Sequence, residues 1–117
     1  MLTTRDREII RSLAAEVADI AALPAQDETR ALWRALNGLR PARPMVTIDQ
    51  VCWNEMNVDD ELTPRCEHPV CREYEDALRR TLYQWRHCRV DMVVEPYIRV
   101  PKAIHSTGFG IQTEERI

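Results

Sequence analysis

Two short apolar runs, with a long loop and a long amphipathic segment between them, constrain the fold of this chain more than any other feature. Residues 45–48 predict a buried strand that ends at Asp49, and residues 90–94 predict a second strand that ends at Glu95. A helix that connects two apolar strands favours a right-handed crossover with the strands parallel. The sequence therefore predicts an α/β protein in which residues 45–98 form a βαβ unit, the opening of a βα-repeat fold.

The connecting helix is predicted over residues 69–87, where a proline opens the segment and apolar residues recur at helical spacing. Glu75 precedes Arg79 by four residues, and Asp76 precedes Arg80 by four, which is the spacing of ion pairs along an outer helix face. The predicted core-facing stripe consists of Val70, Tyr74, Leu78, Leu82 and Trp85.

Two further helices are predicted before this unit. The first covers about residues 5–23, with Pro24 ending it, and the second covers about residues 27–37. Gly38 suits the end of the second helix because glycine adopts the left-handed conformation at low cost. The apolar stripe of the first helix is Ile9, Ile10, Leu13, Val17 and Ile20, and that of the second is Leu32, Trp33 and Leu36.

The connections carry their own expectations. Residues 50–68 form a polar loop so long that a functional role or a lid is expected. Residues 107–111 are predicted to turn into a third strand.

Composition narrows the classes of protein to which the chain can belong. The 117 residues carry a net charge of −3 with charges of both signs intermixed, so no basic face for nucleic acid is expected. No apolar run approaches the roughly 18 residues of a membrane span, and the polar N-terminus does not resemble a secretory signal. We therefore predict a cytoplasmic protein whose four cysteines stay reduced, with neither nucleic acid nor membrane as a partner.

Side chains at the predicted strand ends are the candidate binding residues, since loops after parallel strands carry the chemistry of such folds. Asp49, Trp53 and Glu55 follow the first strand, and Glu95 and Tyr97 follow the second. The carboxylates suit acid, base or anchoring roles, and Trp53 suits the wall of a pocket. The alternative is that the carboxylates only close the strands and that Trp53 packs within its loop.

A metal site is the weaker possibility. Cys66, His68 and Cys71 are all residue types that bind zinc, and His87 with Cys88 would complete a set of four. Four residues separate Cys66 from Cys71, however, whereas two residues usually separate the paired cysteines of structural zinc sites. We therefore predict buried thiols and no metal bound by this chain.

Several motifs, taken together, resemble a known family. They are LNGLRPARPMVTID, the loop VCWNEMNVDDEL, the stretch LRRTLYQWRHCRVDMVVEPYI and STGFGI. The set resembles the N-terminal part of uroporphyrinogen-decarboxylase-like proteins, in particular the corrinoid-linked methyltransferase branch of anaerobes. The resemblance implies a TIM-type barrel, with residues 1–40 as a helical leader and residues 41–117 as the opening βαβ portion.

The resemblance also implies a site and an activity. Asp49, Trp53, Glu55, Glu95 and Tyr97 would lie at the barrel mouth. The segment DQVCWNEMN lacks the arginine with which true decarboxylases of the family bind substrate carboxylates, which argues against a porphyrinogen substrate. The methyltransferase branch uses zinc and a corrinoid protein, but its zinc ligands lie in the later half of the barrel.

A closed barrel of this type takes about 250 residues, so the leading expectation is an N-terminal portion or truncated relative of a corrinoid-dependent methyltransferase. Such a chain would not be catalytic alone and would bind no cofactor itself. The alternative is a small interaction or dimerisation module without enzymatic activity. Either way the apolar strand faces need cover, which predicts a homo-oligomer that buries Val46, Ile48, Val93 and Ile98.

Overall fold

The computed structural model of the protein describes residues 1–110 and Glu114, and these residues are helical with long extended connections. The helices are α1 (Thr4–Ala21), α2 (Pro24–Asn37), the single turn α3 (Trp53–Met56) and α4 (Pro69–His87). A short turn follows at Gly108–Gly110. Ile111, where the predicted third strand would continue, lies outside the described residues.

The beginning of α1 is fixed by reciprocal hydrogen bonds between side chains and backbone. The Thr3 hydroxyl accepts from the N–H of Asp6 at 3.0 Å, and the Asp6 carboxylate accepts from the N–H of Thr3 at 3.2 Å. At the other end, Pro24 begins α2 instead of terminating α1, because proline suits the first helical position, where no N–H is needed. The corner between α1 and α2 is therefore only two residues long.

The hydrophobic core lies between α1 and α4. Val17 and Ala21 of α1 meet Leu78 and Leu82 of α4, and Val94 closes the cluster. Further apolar residues pack around these five, namely Ile10, Leu13, Ala14, Ile20, Trp85 and Met92. The prediction that Leu78 and Leu82 face the core is confirmed, but they pack against a helix and not against a sheet.

The predicted α/β class is wrong, because no strand forms among residues 1–110 and Glu114. Segments 45–49 and 90–94 do approach each other, and the N–H of Asp91 donates to the carbonyl of Val46 at 3.1 Å. A strand pair needs a ladder of such bonds, and here the Asp91 side chain takes the N–H of Val46 at 2.8 Å. The first βαβ unit of a TIM-type barrel is therefore not present in the described part of the chain.

Asp91 organises these two extended segments. Its carboxylate accepts two hydrogen bonds from the Arg43 guanidinium, at 2.7 and 3.1 Å, in addition to the bond from Val46. Hydrogen bonding to Arg43, and then to the Val46 N–H, lowers the pKa of Asp91 to about 2. A bidentate side-chain contact thus replaces the sheet as the link between residues 43–46 and residue 91.

The long loop before α4 is anchored by two buried carboxylates. Glu75 accepts hydrogen bonds from the N–H groups of Arg65 and Cys66, at 2.8 and 2.7 Å, and from Arg79 at 2.8 Å. Asp6 accepts from the N–H of Glu67 at 2.7 Å. The Glu75–Arg79 and Asp76–Arg80 pairs are confirmed, but Glu75 is wholly buried and does not lie on an outer face.

Candidate functional site

An apolar groove runs between one face of α4 and the extended segment 92–101. Its volume is about 700 Å³. Val17, Leu78 and Val94 form its floor, so the groove opens directly onto the hydrophobic core. The walls are mainly Val70, Tyr74, Ala77 and Thr81 from α4 and Tyr97, Ile98 and Pro101 from the extended segment.

The groove stays open because polar contacts hold the extended segment towards α2. The Gln26 side chain, which is almost fully buried, accepts from the N–H of Val94 at 2.9 Å and donates to the carbonyl of Ile20 at 3.2 Å. Arg30 pairs with Glu95 at 3.1 Å. Trp33 adds a third contact, since its indole N–H donates to the carbonyl of Asp91 at 2.8 Å.

Beyond the groove, residues 102–110 extend away from the rest of the described chain, and we call them the arm. Every arm residue is exposed, including Ile104 at 77% and Phe109 at 102% of full exposure. The hydrogen bonds of the arm with described residues stay within it, from Gly108 N–H to Ser106 and from Gly110 N–H to Thr107. The arm therefore presents apolar side chains to water without packing on the rest of the described chain.

The structure brings together two of the five predicted site residues. Glu95 and Tyr97 both line the groove, where Glu95 is engaged by Arg30 and Tyr97 is 58% exposed. Asp49 is exposed and accepts a hydrogen bond from the Thr47 hydroxyl at 3.3 Å. Asp49 lines none of the hollows described here, so it lies apart from the other two.

Trp53 and Glu55 lie together in α3, on a separate shallow hollow beside α4. The Trp53 ring meets the Tyr83 ring edge-on, with centroids 6.1 Å apart, and the Arg80 guanidinium lies 5.2 Å from the Trp53 centroid. This cation–π and aromatic packing fastens α3 to α4. The Trp53 ring is therefore occupied by its own chain, which fits the packing alternative for this residue.

The cysteine and histidine cluster is a packed corner of the loop. Cys66 is buried, and burial followed by the neighbouring Glu75 raises the pKa of its thiol to about 12. Such a thiol stays protonated and is a poor metal ligand. Within residues 1–110 and Glu114, no three His, Cys, Asp or Glu side chains are arranged to hold a metal ion.

Sequence reasoning missed the residues that shape the groove. Gln26 reads as an ordinary surface residue of α2, and nothing in its neighbourhood signals a partner 68 positions away. Val70 and Tyr74 follow the helical repeat of a core face, so periodicity alone assigns them to the interior, and Ala77 was not singled out. Their combination of a core pattern with partial exposure, visible only in the structure, marks the groove.

The chain exposes much more surface than a compact protein of its mass. Its accessible area is 9547 Å², whereas a compact monomer of 13.7 kDa exposes about 6,600 Å². The radius of gyration is 19.0 Å, against about 13 Å for a compact domain of 100 residues. About 2,900 Å² of surface per chain is therefore in excess of what this mass requires.

No helix within the described residues combines the length and the apolar character that crossing a membrane requires. Comparison of the chain with protein-family models, with curated proteins and with solved structures finds no match. The resemblance to uroporphyrinogen-decarboxylase-like proteins therefore stays a prediction, and the groove stands as the candidate site on its geometry.

Proposed function

We propose that this protein is a self-association module, and that the groove between α4 and segment 92–101 binds a second copy of the same chain. The observation that carries the proposal is the excess of about 2,900 Å² of exposed surface over a compact monomer. Interfaces of obligate homodimers bury roughly 2,000–5,000 Å² in total. One chain thus has enough surplus surface to supply its half of such an interface.

The character of the groove supports a polypeptide as its occupant. Its walls carry two tyrosines, Tyr74 and Tyr97, and aliphatic side chains, and among the described residues that line it only Glu73, Glu95 and Arg99 are charged. Interface cores are similarly rich in aromatic residues and poor in charge. A groove of this kind, rimmed by a few charges, suits an apolar protein surface better than a polar metabolite.

A second copy is the favoured partner because the chain carries matching surfaces. The arm carries Lys102 and has no acidic residue, and no acidic residue occurs between Tyr97 and Gly110. The net charge of the whole chain is −3, so the remainder of the molecule is acidic. Two copies can therefore meet with opposite charges facing each other.

The proposed interface includes two of the four residues that the sequence predicted to be buried in an oligomer. Val93 and Ile98 line the groove and remain in the proposed interface. Val46 and Ile48 lie in the other extended segment, where the Ile48 carbonyl already accepts from Gln84 at 2.7 Å. The corrinoid-dependent methyltransferase expectation rests on the motif resemblance alone and stays a prediction.

Sedimentation equilibrium over a range of micromolar concentrations tests the proposal. Ala77 is exposed on the groove face of α4, so Ala77→Lys places a charge in the groove without removing a core side chain. We expect wild type to be dimeric and Ala77→Lys to dissociate with a dimer Kd raised by at least about tenfold, which corresponds to 1.4 kcal/mol.

Ala15→Lys is the matched control, because Ala15 is also exposed, lies in a helix and does not line the groove. It should associate as wild type does. A folded wild type that stays monomeric at tens of micromolar would contradict the proposal, as would a dimer that Ala77→Lys and Ala15→Lys leave equally intact.

A further inference from the structure

We infer that the dimer forms by reciprocal exchange of the arms, with residues 102–110 of each copy seated in the groove of the other. This inference rests on the proposed self-association and specifies what fills the groove. The arm and the groove are different parts of the surface, so the contact is between unlike patches and occurs twice in a closed pair.

The dimensions of the two surfaces match. The α4 wall of the groove extends from Val70 to Thr81, which is about 17 Å at 1.5 Å per residue. The nine residues of the arm span up to about 30 Å when extended. The arm is therefore long enough to follow the whole wall, even with its last residues folded into the turn at Gly108–Gly110.

The chemistry of the two surfaces also matches. The arm offers Ile104 and Phe109, both well exposed, to a groove whose floor and walls are apolar. Lys102 is the one charged residue of the arm apart from the titratable His105. On the groove rim Glu73 is exposed and forms no ion pair with a described residue, so it is available to Lys102.

The base of the arm reduces the entropy lost on binding. Pro96 and Pro101 restrict the backbone on the extended segment that leads into the arm. A segment with fewer accessible conformations loses less freedom when it is seated on a partner. The unseated arm leaves Ile104 and Phe109 in water, and seating it buries both side chains at once.

A mixing experiment with two variants tests the exchange. Ala77→Lys blocks the groove and leaves the arm intact, whereas Ile104→Lys alters the arm and leaves the groove open. Each variant alone should have a dimer Kd at least about tenfold above wild type. In an equimolar mixture, the arm of the first variant can seat in the groove of the second, so we expect native mass spectrometry to show a proportion of heterodimers well above that given by random pairing of the two variants.

The outcomes separate this inference from the proposed function. If wild type dimerises and Ile104→Lys dimerises equally well, the arm is not the occupant and the inference is overturned, while self-association stands. If the mixture of the two variants associates no more tightly than either variant alone, the contact is not between arm and groove. A monomeric wild type overturns both.

A second pair of variants covers the case in which Ala77→Lys fails to fold, as judged by circular dichroism. Glu73→Lys and Lys102→Glu change exposed side chains only. Each reversal alone should weaken the dimer, and mixing the two should restore heterodimers with the reversed charge pair. Equal association of both single variants and wild type would remove Glu73 and Lys102 from the contact and contradict the seating described here.

Discussion

Glu75 is wholly buried in α4, and its oxygens accept from the backbone N–H groups of Arg65 and Cys66 and from the Arg79 guanidinium. Burial by itself opposes ionisation of this carboxyl. The hydrogen bonds from Cys66, Arg65 and Arg79 outweigh burial and keep the pKa of Glu75 below its ordinary value. A buried carboxylate that accepts from this many donors anchors the surrounding backbone. Removal of its charge leaves those buried donors without a charged acceptor.

Glu75→Gln is therefore expected to lower the free energy of unfolding by about 3 kcal/mol or more, since Arg79 and two backbone donors lose a charged acceptor. Urea denaturation at fixed protein concentration measures the change. Asp76→Asn is the matched control, because the Asp76–Arg80 pair is partly exposed and should be worth about 0.3–0.5 kcal/mol. Equal effects of the two substitutions would show that the buried network does not anchor the loop.

At the scale of secondary-structure elements, the periodicity of apolar residues was sufficient to predict the long helices. Short apolar runs were not sufficient to predict strands. The α1, α2 and α4 helices repeat apolar residues every three to four positions, and each was predictable within a few residues. Runs of four or five apolar residues fit a strand as well as an extended segment. Residues 90–94 are an extended segment because the side chains of Gln26 and Trp33 bind backbone groups that a sheet would have paired. The Asp91 carboxylate in turn takes the N–H of Val46.

The candidate site was less predictable than the helices. Glu95 and Tyr97 reach the groove, but they do so as neighbours on one extended segment and not as the ends of adjacent strands. The groove depends on where segment 92–101 lies relative to α4. That position is set by contacts 58 to 68 residues apart in sequence, which local patterns do not encode.

The end of α2 differs from the prediction that Gly38 adopts the left-handed conformation. Gly38 has a φ of −83°, and the left-handed conformation falls on Leu39, with a φ of 58°. Position 38 favours glycine for another reason, since a Cβ there would lie 3.1 Å from the carbonyl oxygen of Arg34, which is a tight contact. The helix thus ends with its strained residue one position later than glycine chemistry suggests.

Leu39→Gly is expected to raise the free energy of unfolding by about 0.5–1 kcal/mol, because relief of left-handed strain outweighs the added freedom of the unfolded chain. Leu39 is 89% exposed, so little burial is lost. Leu39→Val should act in the opposite direction, because branching at Cβ worsens the strain. Thermal unfolding of the three proteins tests this, and a glycine variant less stable than the valine variant would contradict it.

At the scale of the whole molecule, carboxylates connect parts of the chain that are far apart in sequence. Asp6 joins the start of α1 to Glu67. Asp91 joins the extended segment that follows α4 to Arg43 and Val46. The pKa of Asp6 is lowered to about 2, chiefly by the N–H of Glu67, and that of Asp91 to about 2, chiefly by Arg43. Both lie below the ordinary value of 3.8.

Because both pKa values are lower in the folded chain, the carboxylates stabilise the fold above about pH 4, and this contribution is lost as the pH falls to about 2. Asp6→Asn/Asp91→Asn should flatten the dependence of the urea midpoint on pH in this window. Asp19→Asn/Glu28→Gln changes the net charge equally at exposed positions and should keep the wild-type slope. Parallel curves for all three proteins would contradict the assignment.

The Gln26 amide has a consequence for how the chain is made. Its oxygen accepts from the N–H of Val94, 68 positions later in the sequence. Its NH₂ group donates to the carbonyl of the nearby Ile20. At a synthesis rate of roughly 5–20 residues per second, Val94 leaves the ribosome about 3 to 14 s after Gln26. Until then the Gln26 oxygen lacks its Val94 partner, and α1 lacks the α4 side chains Leu78 and Leu82 that complete the core. We therefore expect the packing of α1 to be completed only after residue 94 has been synthesised.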